Sequence, residues 1–317
     1  MPKLVSSEEW SNQFAIKRGH PEYLAFYSSY LDMITTDSTL MQIPIDDHLV
    51  HRGHGVYDTG TVANGRLYQF RRHVDRLLDS ARKSQIHPPW SPNEIIEIAI
   101  DTVRATNVKN CSLRLWISPG PGNFSITSER CQGPCLYILA HISHSFPDDP
   151  YTETHEATVS AIDVPIKSPE QAALKSINYV LNAKMAAVAK SRGGNLGIWV
   201  DENDCVTEGS ICNVAIVTKN GVLITPPSHG ILTGCTLLHI FEMLDACVPY
   251  SQRKITLDEM MNAEEVLVCG GDTHVFGVVS VNGQSIGSGD LGKVTRMIID
   301  KIQLEISTGL HCDSIPI

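Results

Sequence analysis

Short apolar runs bounded by turn residues recur along the chain and indicate a protein rich in β-strands. Runs of about four to eight apolar residues, flanked by Gly, Pro, Asn or Asp, are typical of buried strands. They occur at residues 112–118, 135–141, 157–163, 196–200, 214–218, 222–225, 266–269 and 277–281. Two Asn-Gly pairs, at 64–65 and 220–221, predict tight hairpin turns between neighbouring strands.

Between these runs the spacing of apolar residues changes to three and four, which predicts amphipathic helices. The stretch at 70–84 carries one such stripe, and a Ser-Pro-Asn-Glu capping pattern at 91–94 opens another helix that ends near Ala105. Further helices are predicted at 180–191, 237–246, 255–261 and 291–307.

Strands and helices follow one another in blocks without strict alternation, so we predict an α+β (mixed α/β) fold. A chain of 317 residues is too long for one ordinary core and indicates about two domains. A polar stretch with acidic residues and prolines separates two structured halves. We therefore expect an N-terminal α/β domain at 1–145, a linker at 146–156 and a C-terminal, cofactor-binding domain at 157–317.

Charge and cysteine content exclude several classes of function. The net charge of −10 argues against a nucleic-acid partner, and no apolar run approaches the roughly 20 residues that span a bilayer. Nine cysteines without a CxxC pair predict neither a disulfide framework nor a metal site, so we expect no metal. A reducing, cytoplasmic compartment is the simplest expectation, and an organellar precursor trimmed at its N-terminus stays open.

Residues 174–213 contain the two side chains that most clearly suggest a function. Lys175 lies just before the helix predicted at 180–191, and Glu208 follows the strand predicted at 196–200 and its turn. A lysine amine can hold an aldehyde as a Schiff base, and the ring nitrogen of pyridoxal phosphate needs an acidic partner. Taken alone, the spacing of the two residues favours a solvated lysine and an ordinary turn over a cofactor site.

The sequence around both residues resembles fold-type IV enzymes, the pyridoxal-phosphate class that contains D-amino-acid and branched-chain aminotransferases and aminodeoxychorismate lyases. The matching signatures are Lys175-Ser176-Ile177-Asn178 and Thr207-Glu208-Gly209-Ser210 with Asn213. The resemblance implies the two-domain fold of D-amino-acid aminotransferases. It also implies that Lys175 binds pyridoxal 5′-phosphate and moves a proton, that Glu208 keeps the ring nitrogen protonated, and that Ser210 contacts the cofactor.

The cofactor's phosphate is expected at the start of the helix predicted at 237–246. The Gly-Cys-Thr stretch at 234–236 precedes that helix, and a helix N-terminus favours an anion. An ordinary threonine N-cap would give the same pattern. The resemblance assigns phosphate contacts to Cys235 and Thr236, and to Arg76 in the helix at 70–84. Where relatives offer Ser or Thr, this chain has Gly271, whose backbone N–H, or the hydroxyl of Thr273, is expected to substitute.

Three other side chains near the lysine motif are candidates for a role. By resemblance, Tyr179 hydrogen-bonds the phenolic oxygen of the cofactor ring, although a core tyrosine would give the same pattern. Lys167 and Lys184 are rivals to Lys175, but Lys167 precedes Ser-Pro without the Ser-x-Asn continuation and Lys184 lies in mid-helix.

The sequence identifies the substrate-binding residues less clearly than the cofactor-binding residues. Bacterial D-amino-acid aminotransferases carry an Arg-x-His trap for the substrate carboxylate, and this chain has Gly-Asn-Phe-Ser at 122–125 instead. The resemblance places Arg52, Tyr57 and Arg114 in the pocket, and either arginine suits a carboxylate. It also implies a homodimer in which Phe124 is donated by the neighbouring subunit.

The resemblance extends over roughly residues 27–305, and segments such as 46–56 and 119–122 are similar to plant D-amino-acid transaminase and lyase-like proteins. We therefore predict an aminotransferase that moves an amino group between a D-amino acid, such as D-alanine, and a 2-oxo acid. Alternatives on the same scaffold are a 4-amino-4-deoxychorismate lyase, an (R)-amine transaminase and a branched-chain transaminase. An alternative of another class is a non-catalytic binding protein, against which the presence of both signatures argues.

Overall fold

The computed structural model describes residues 2–142, 154–159, 164–244, 247–271, 274–309 and 315–316. The chain divides into two compact units. Unit 1 comprises Met1–Ser143 and Asp313–Ile317, and unit 2 comprises His144–Cys312. Most of the predicted linker, residues 146–153, lies outside the described residues.

Unit 1 is an antiparallel sheet with four described helices, three of which have 12 to 14 residues. Its helices are α1 (Ser7–Arg18), α2 (His48–Arg52), α3 (Phe70–Lys83) and α4 (Pro92–Arg104). Its strands in the first part of the chain are β1 (Tyr23–Ser28), β2 (Met33–Thr35), β3 (Val56–Ala63), β4 (Arg66–Tyr68), β5 (Cys111–Ser118) and β6 (Cys135–His141). Short 3-10 turns at Ser38–Leu40 and Ser128–Arg130 complete the described elements of this unit before its C-terminal strand.

The core of unit 1 lies between the sheet and the apolar faces of α3 and α4. Leu77 of α3, Ile95 of α4 and Leu113 of β5 are fully buried in one cluster. The capping pattern predicted for α4 is present, because Ser91 and Glu94 each bond the other's backbone N–H. Asn64 and Gly65 both adopt positive φ between β3 and β4, as the predicted hairpin turn requires.

Unit 2 is a second sheet with its own helices. Its strands are β7 (Thr154–Val159), β8 (Leu196–Val200), β9 (Val206–Gly209), β10 (Asn213–Val217), β11 (Leu223–Thr225), β12 (Tyr250–Gln252), β13 (Glu265–Gly270), β14 (His274–Val281) and β15 (Gln284–Ser285). Its helices are α5 (Pro169–Ala172), α6 (Val180–Ser191), α7 (Cys235–Leu244), α8 (Leu257–Met261) and α9 (Lys293–Thr308). The last strand, β16 (Ile315–Pro316), pairs with β4 in unit 1.

The two sheets differ in the order and direction of their strands. In unit 1 the order is β16-β4-β3-β5-β6-β1-β2, with antiparallel pairing throughout the described strands. In unit 2 the order is β12-β11-β10-β13-β14-β7-β8-β9, with β15 on β14. There β9 also pairs back to β10 through Glu208 and Asn213, so six strands form a closed ring of pairings.

This architecture confirms the predicted α+β (mixed α/β) fold class. The predicted bounds of α6 and β8 agree with the structure. Other predicted bounds differ from the structure, among them the starts of three elements: β7 begins at Thr154, inside the expected linker, α7 begins at Cys235 and α8 at Leu257. Residues 160–163, which were predicted to continue β7, lie outside the described residues. Within the described ranges, no helix combines the length and the apolar character needed to cross a bilayer.

Candidate active site

Lys175 lies in unit 2 on the segment that leads into α6, with only 9% of its surface exposed. Burial separates it from an ordinary surface lysine, since lysine is almost never fully buried without a partner. In the first turn of α6, Asn182 donates a hydrogen bond from its amide nitrogen to the carbonyl oxygen of Ser210 at 2.6 Å. The lysine segment is thereby fixed to the turn that follows Glu208.

Glu208 is buried on β9, where its backbone pairs with Asn213 of β10. Its Oε2 accepts a hydrogen bond from the backbone N–H of Leu232 at 2.9 Å. Its Oε1 accepts one from the Nζ of Lys167 at 2.5 Å. Both oxygens therefore act as acceptors, which is how an ionised carboxylate is used in proteins.

Cys212 lies beside this carboxylate in the turn between β9 and β10. Burial first, and then the charge of Glu208, raises the pKa of the Cys212 thiol to about 12, although a backbone N–H works in the opposite direction. The thiol stays protonated at neutral pH and is a poor nucleophile or base. The Cys212 thiol is therefore not a candidate for the nucleophile or the base of this site.

The loop at 232–234, directly before α7, is hydrogen-bonded to Glu208. Leu232 binds Glu208 through its N–H, and its carbonyl oxygen accepts a hydrogen bond from the side chain of Asn213 at 2.8 Å. Four residues further on, the Thr236 hydroxyl donates to the carbonyl oxygen of Gly270 at 3.0 Å. Loop 232–234, the first turn of α7 and the end of β13 thus form one connected cradle.

The cradle is suited to an anion at its α7 end. The helix has ten residues, and Cys235 and Thr236 are its first two, so they lie where the backbone N–H groups and the helix dipole favour negative charge. The predicted contact residue Gly271 follows β13 directly, and Thr273 lies outside the described residues. The segment at 234–236 is therefore well placed for a phosphate.

Gly234 packs so closely against Asn213 that no side chain fits at this position. A Cβ at this position would lie 1.9 Å from Oδ1 of Asn213, which is buried and anchored to Leu232. We expect Gly234→Ala to displace Asn213, to lower stability by about 1 to 3 kcal/mol and to weaken the binding of pyridoxal phosphate at least about tenfold. Thermal unfolding and equilibrium dialysis measure the two effects.

Gly19→Ala is the matched control, because its Cβ would meet its nearest atom at 3.7 Å, an ordinary contact. This variant should bind pyridoxal phosphate as the unaltered protein does. Equal binding by Gly234→Ala and Gly19→Ala would show that the cradle is not a binding site.

In unit 1, Arg76 lies on α3 and pairs with a buried carboxylate. Its Nε and Nη2 donate to the two oxygens of Asp58 on β3, both at 2.8 Å. His73 also contacts Asp58, at 2.8 Å. Only 14% of the Arg76 side chain is exposed, and it pairs with the buried Asp58.

Burial and the neighbouring cationic groups shift the pKa of Asp58 in opposite directions. Burial alone would raise the pKa of Asp58, but the charge and hydrogen bonds of Arg76, followed by those of His73, hold the pKa well below its usual range. A depressed pKa contributes stability that is present above the unfolded-state pKa and is lost as pH falls through the folded-state pKa. Asp58 therefore fixes the direction of Arg76 at all pH values near neutrality.

We expect Asp58→Asn to destabilise the protein by about 3 to 5 kcal/mol near neutral pH, because it leaves the Arg76 charge buried without its partner. The difference between variant and unaltered protein should stay constant down to about pH 4 and narrow in stronger acid, as the aspartate itself becomes protonated. Urea unfolding across that pH range measures it. Asp75→Asn, on an exposed pair with Arg71, is the control and should cost little. A difference that grows towards acid pH would contradict the assignment.

The predicted substrate residues of unit 1 fall into two pairs. The guanidinium of Arg52 donates to the backbone carbonyls of Phe124, Ser125 (3.0 Å) and His51 (3.3 Å), so it anchors the loop that carries Phe124. The guanidinium carbon of Arg114 lies 5.1 Å from the centre of the Tyr57 ring. Strand β5, which carries Arg114, lies between β3 and β6 and is an inner strand of the sheet.

Several residues of the site were missed by sequence reasoning. Asp58, Leu232 and Asn182 bind predicted site residues, but none belongs to a motif with known spacing. Lys167, a rival for the cofactor in the sequence, is instead the partner of Glu208. Pairing across 41 residues leaves no local signal that could have revealed it.

The chain is similar to known proteins over most of its length. A family model described as amino-transferase class IV matches residues 55–281. The chain is 34% identical over 96% of its length to the D-amino-acid transaminase, chloroplastic, of Arabidopsis thaliana, covering 83% of that protein. It is 25% identical to the D-alanine aminotransferase of Bacillus licheniformis, over 83% of this chain and 92% of the relative.

Among solved structures, the branched-chain amino acid aminotransferase from Thermobaculum terrenum, in its PLP-bound holo-form, has the same fold. The TM-score is 0.79 at 18% identity, covering 90% of this chain and 95% of the other. Together these findings confirm the family and the enzyme class predicted from the two signatures. The chain belongs to the class IV aminotransferases.

Proposed function

We propose that the protein is a pyridoxal-phosphate-dependent transaminase that moves an amino group between a D-amino acid, such as D-alanine, and a 2-oxo acid. The observation that carries the proposal is the placement of a buried lysine, Lys175, on a segment tied to the strand of a buried carboxylate, Glu208. The 34% identity to a relative named as a D-amino-acid transaminase supports the choice of donor.

The residues present fit pyridoxal phosphate. Lys175 supplies an amine that can hold its aldehyde, and Glu208 supplies an anion for its ring nitrogen. The start of α7 supplies N–H groups for its phosphate, and Gly234 lets the preceding loop pack directly against Asn213. By resemblance we also assign a phosphate contact to Arg76, which Asp58 holds, and cofactor contacts to Ser210 and Tyr179.

When bound, pyridoxal phosphate supplies an aldehyde that takes up the amino group and a ring that accepts the electron pair of the Cα–H bond. Lys175 would hold the cofactor through its side-chain amine. Once released by the donor's amine, the Nζ of Lys175 would be the base that takes the proton from the donor Cα and the acid that gives it back. Glu208 would keep the ring nitrogen protonated, and the burial of both residues limits the access of water to them.

For the substrate carboxylate we propose Arg114 as the binding residue, with Tyr57 beside it. The support comes from Arg52, whose guanidinium already donates from all three nitrogens to backbone carbonyls of its own unit. A guanidinium engaged in this way positions a loop, and its loop carries Phe124.

Arg114→Lys is expected to weaken inhibition by propionate, a carboxylate without an amine, by at least about tenfold, because lysine loses bidentate binding. Arg52→Lys should weaken it less than about threefold, since that arginine acts on the loop backbone. Steady-state inhibition constants measure both effects. The reverse order of the two variants would move the carboxylate to Arg52.

The test of the proposed function is an assay of amino transfer with stereochemical readout. The purified protein is incubated with D-alanine and 2-oxoglutarate, and pyruvate and the handedness of the glutamate are measured. Pyruvate with D-glutamate supports the proposal. Activity confined to L-leucine would make the protein a branched-chain enzyme, and pyruvate from 4-amino-4-deoxychorismate without an acceptor would make it a lyase.

We also propose a homodimer and a reducing, cytoplasmic compartment. The loop anchored by Arg52 holds two large apolar side chains outward, with Phe124 62% and Ile126 79% exposed, as a subunit contact would need. Light scattering of the purified protein measures the oligomeric state, and a monomer would contradict a donated Phe124. The Arabidopsis relative is named as chloroplastic, so the fraction of a cell lysate that contains this protein decides between cytoplasm and organelle.

A further inference from the structure

Lys167 lies between β7 and α5, outside both signature motifs, and it is held on two sides. Its Nζ is 2.5 Å from Oε1 of Glu208 and 5.3 Å from the centre of the Trp199 ring. The side chains of Lys167 and Glu208 are only 14% and 7% exposed, and Trp199 is fully buried. A cation enclosed by a carboxylate and an aromatic face cannot swing away without losing both contacts.

Glu208 divides its acceptor capacity between two protein donors. Lys167 occupies Oε1 and the backbone N–H of Leu232 occupies Oε2. A carboxylate offers about four acceptor positions, so room remains for one further donor. The negative charge, however, is already balanced by Lys167, and any other cation that binds Glu208 must share it.

From this arrangement we infer that Lys167 is a positioning residue that shares the Glu208 carboxylate with the ring nitrogen of the cofactor. Lys167 thereby weakens the hold of Glu208 on the nitrogen's proton, while it fixes the direction of the carboxylate. The inference rests on the proposed function, because it requires a protonated ring nitrogen at Glu208. It assigns to Lys167 the tuning of that contact and no bond to the cofactor.

The test compares two cofactors that differ at one atom. Pyridoxal phosphate and its 1-deaza analogue, in which C–H replaces the ring nitrogen, are titrated into the cofactor-free full-length protein. The ratio of their dissociation constants reports the strength of the contact between Glu208 and the nitrogen. Lys167→Met removes the charge at similar length, and the side chain borders a groove of about 650 Å³ that can accommodate the change.

With Lys167→Met, the preference for pyridoxal phosphate over the analogue should increase at least about tenfold, because Glu208 then has the ring nitrogen as its sole cationic partner. Lys167→Arg keeps the charge and should keep the original preference. In Lys167→Met with Glu208→Gln the increase should vanish. An unchanged preference in Lys167→Met would overturn the inference, since a merely structural ion pair would affect both cofactors equally.

A control variant and a replacement variant complete the test. Lys184→Met removes an exposed lysine from α6 and should leave the preference unchanged. If Lys167→Met fails to fold, Lys167→Gln takes its place with the same expected direction. A protein that binds pyridoxal phosphate at Lys175 but shows equal preference in all Lys167 variants would refute the inference alone. A protein that does not attach pyridoxal phosphate at Lys175 would refute the proposed function as well.

Discussion

Lys175→Ala is expected to abolish covalent attachment of pyridoxal phosphate and to lower turnover at least about 10³-fold, because one residue supplies both the amine that holds the cofactor and the base that moves the proton. The side chain is buried, and alanine is smaller, so the fold has no clash to absorb. Borohydride reduction followed by peptide mass spectrometry locates the modified lysine, and a transamination assay measures turnover.

The two rival lysines provide the controls for this experiment. Lys184→Ala, on the exposed face of α6, should keep both attachment and turnover. Lys167→Ala should keep attachment, since Lys167 contacts Glu208. If borohydride still fixes pyridoxal phosphate to a lysine of Lys175→Ala, another lysine holds the cofactor.

Glu208→Gln is expected to keep the attached cofactor but to lower turnover at least about 100-fold. The amide can still accept hydrogen bonds, but it has no charge with which to hold a proton on the ring nitrogen, so electron withdrawal by the ring is weakened. The loss should fall on the maximal rate more than on the KM of the donor, because the contact acts on the reacting system.

Glu202→Gln, an exposed acid in the turn between β8 and β9, is the matched control and should leave the maximal rate unchanged. Stability of Glu208→Gln is measured in parallel, because Lys167 loses its charged partner. Turnover near that of the unaltered enzyme in a folded Glu208→Gln would contradict the role of Glu208.

Local sequence predicted the elements that carry the chemistry. The bounds of α6 and β8 agree with the prediction, because an apolar period of three to four ends at Gly193-Gly194 and a continuous apolar run follows. The family signatures around Lys175 and Glu208 led to the enzyme class that the comparisons confirm.

What the sequence could not predict depends on contacts between distant residues. Lys167 reaches Glu208 across 41 positions, and Arg76 reaches Asp58 on another element, without any periodic pattern to mark either pair. The start of α7 was placed two residues late, because neither Cys235 nor Thr236 is a strong helix former. The pairing of β9 with β10 is likewise visible only in the folded sheet.

The most direct measurement of the central claim is the visible absorption of the protein loaded with pyridoxal phosphate, recorded before and after addition of D-alanine. The band of the bound cofactor is expected to collapse with D-alanine and to return when a 2-oxo acid is added, while L-leucine leaves it unchanged. A band that ignores D-alanine, or that responds only to L-leucine, would contradict the claim.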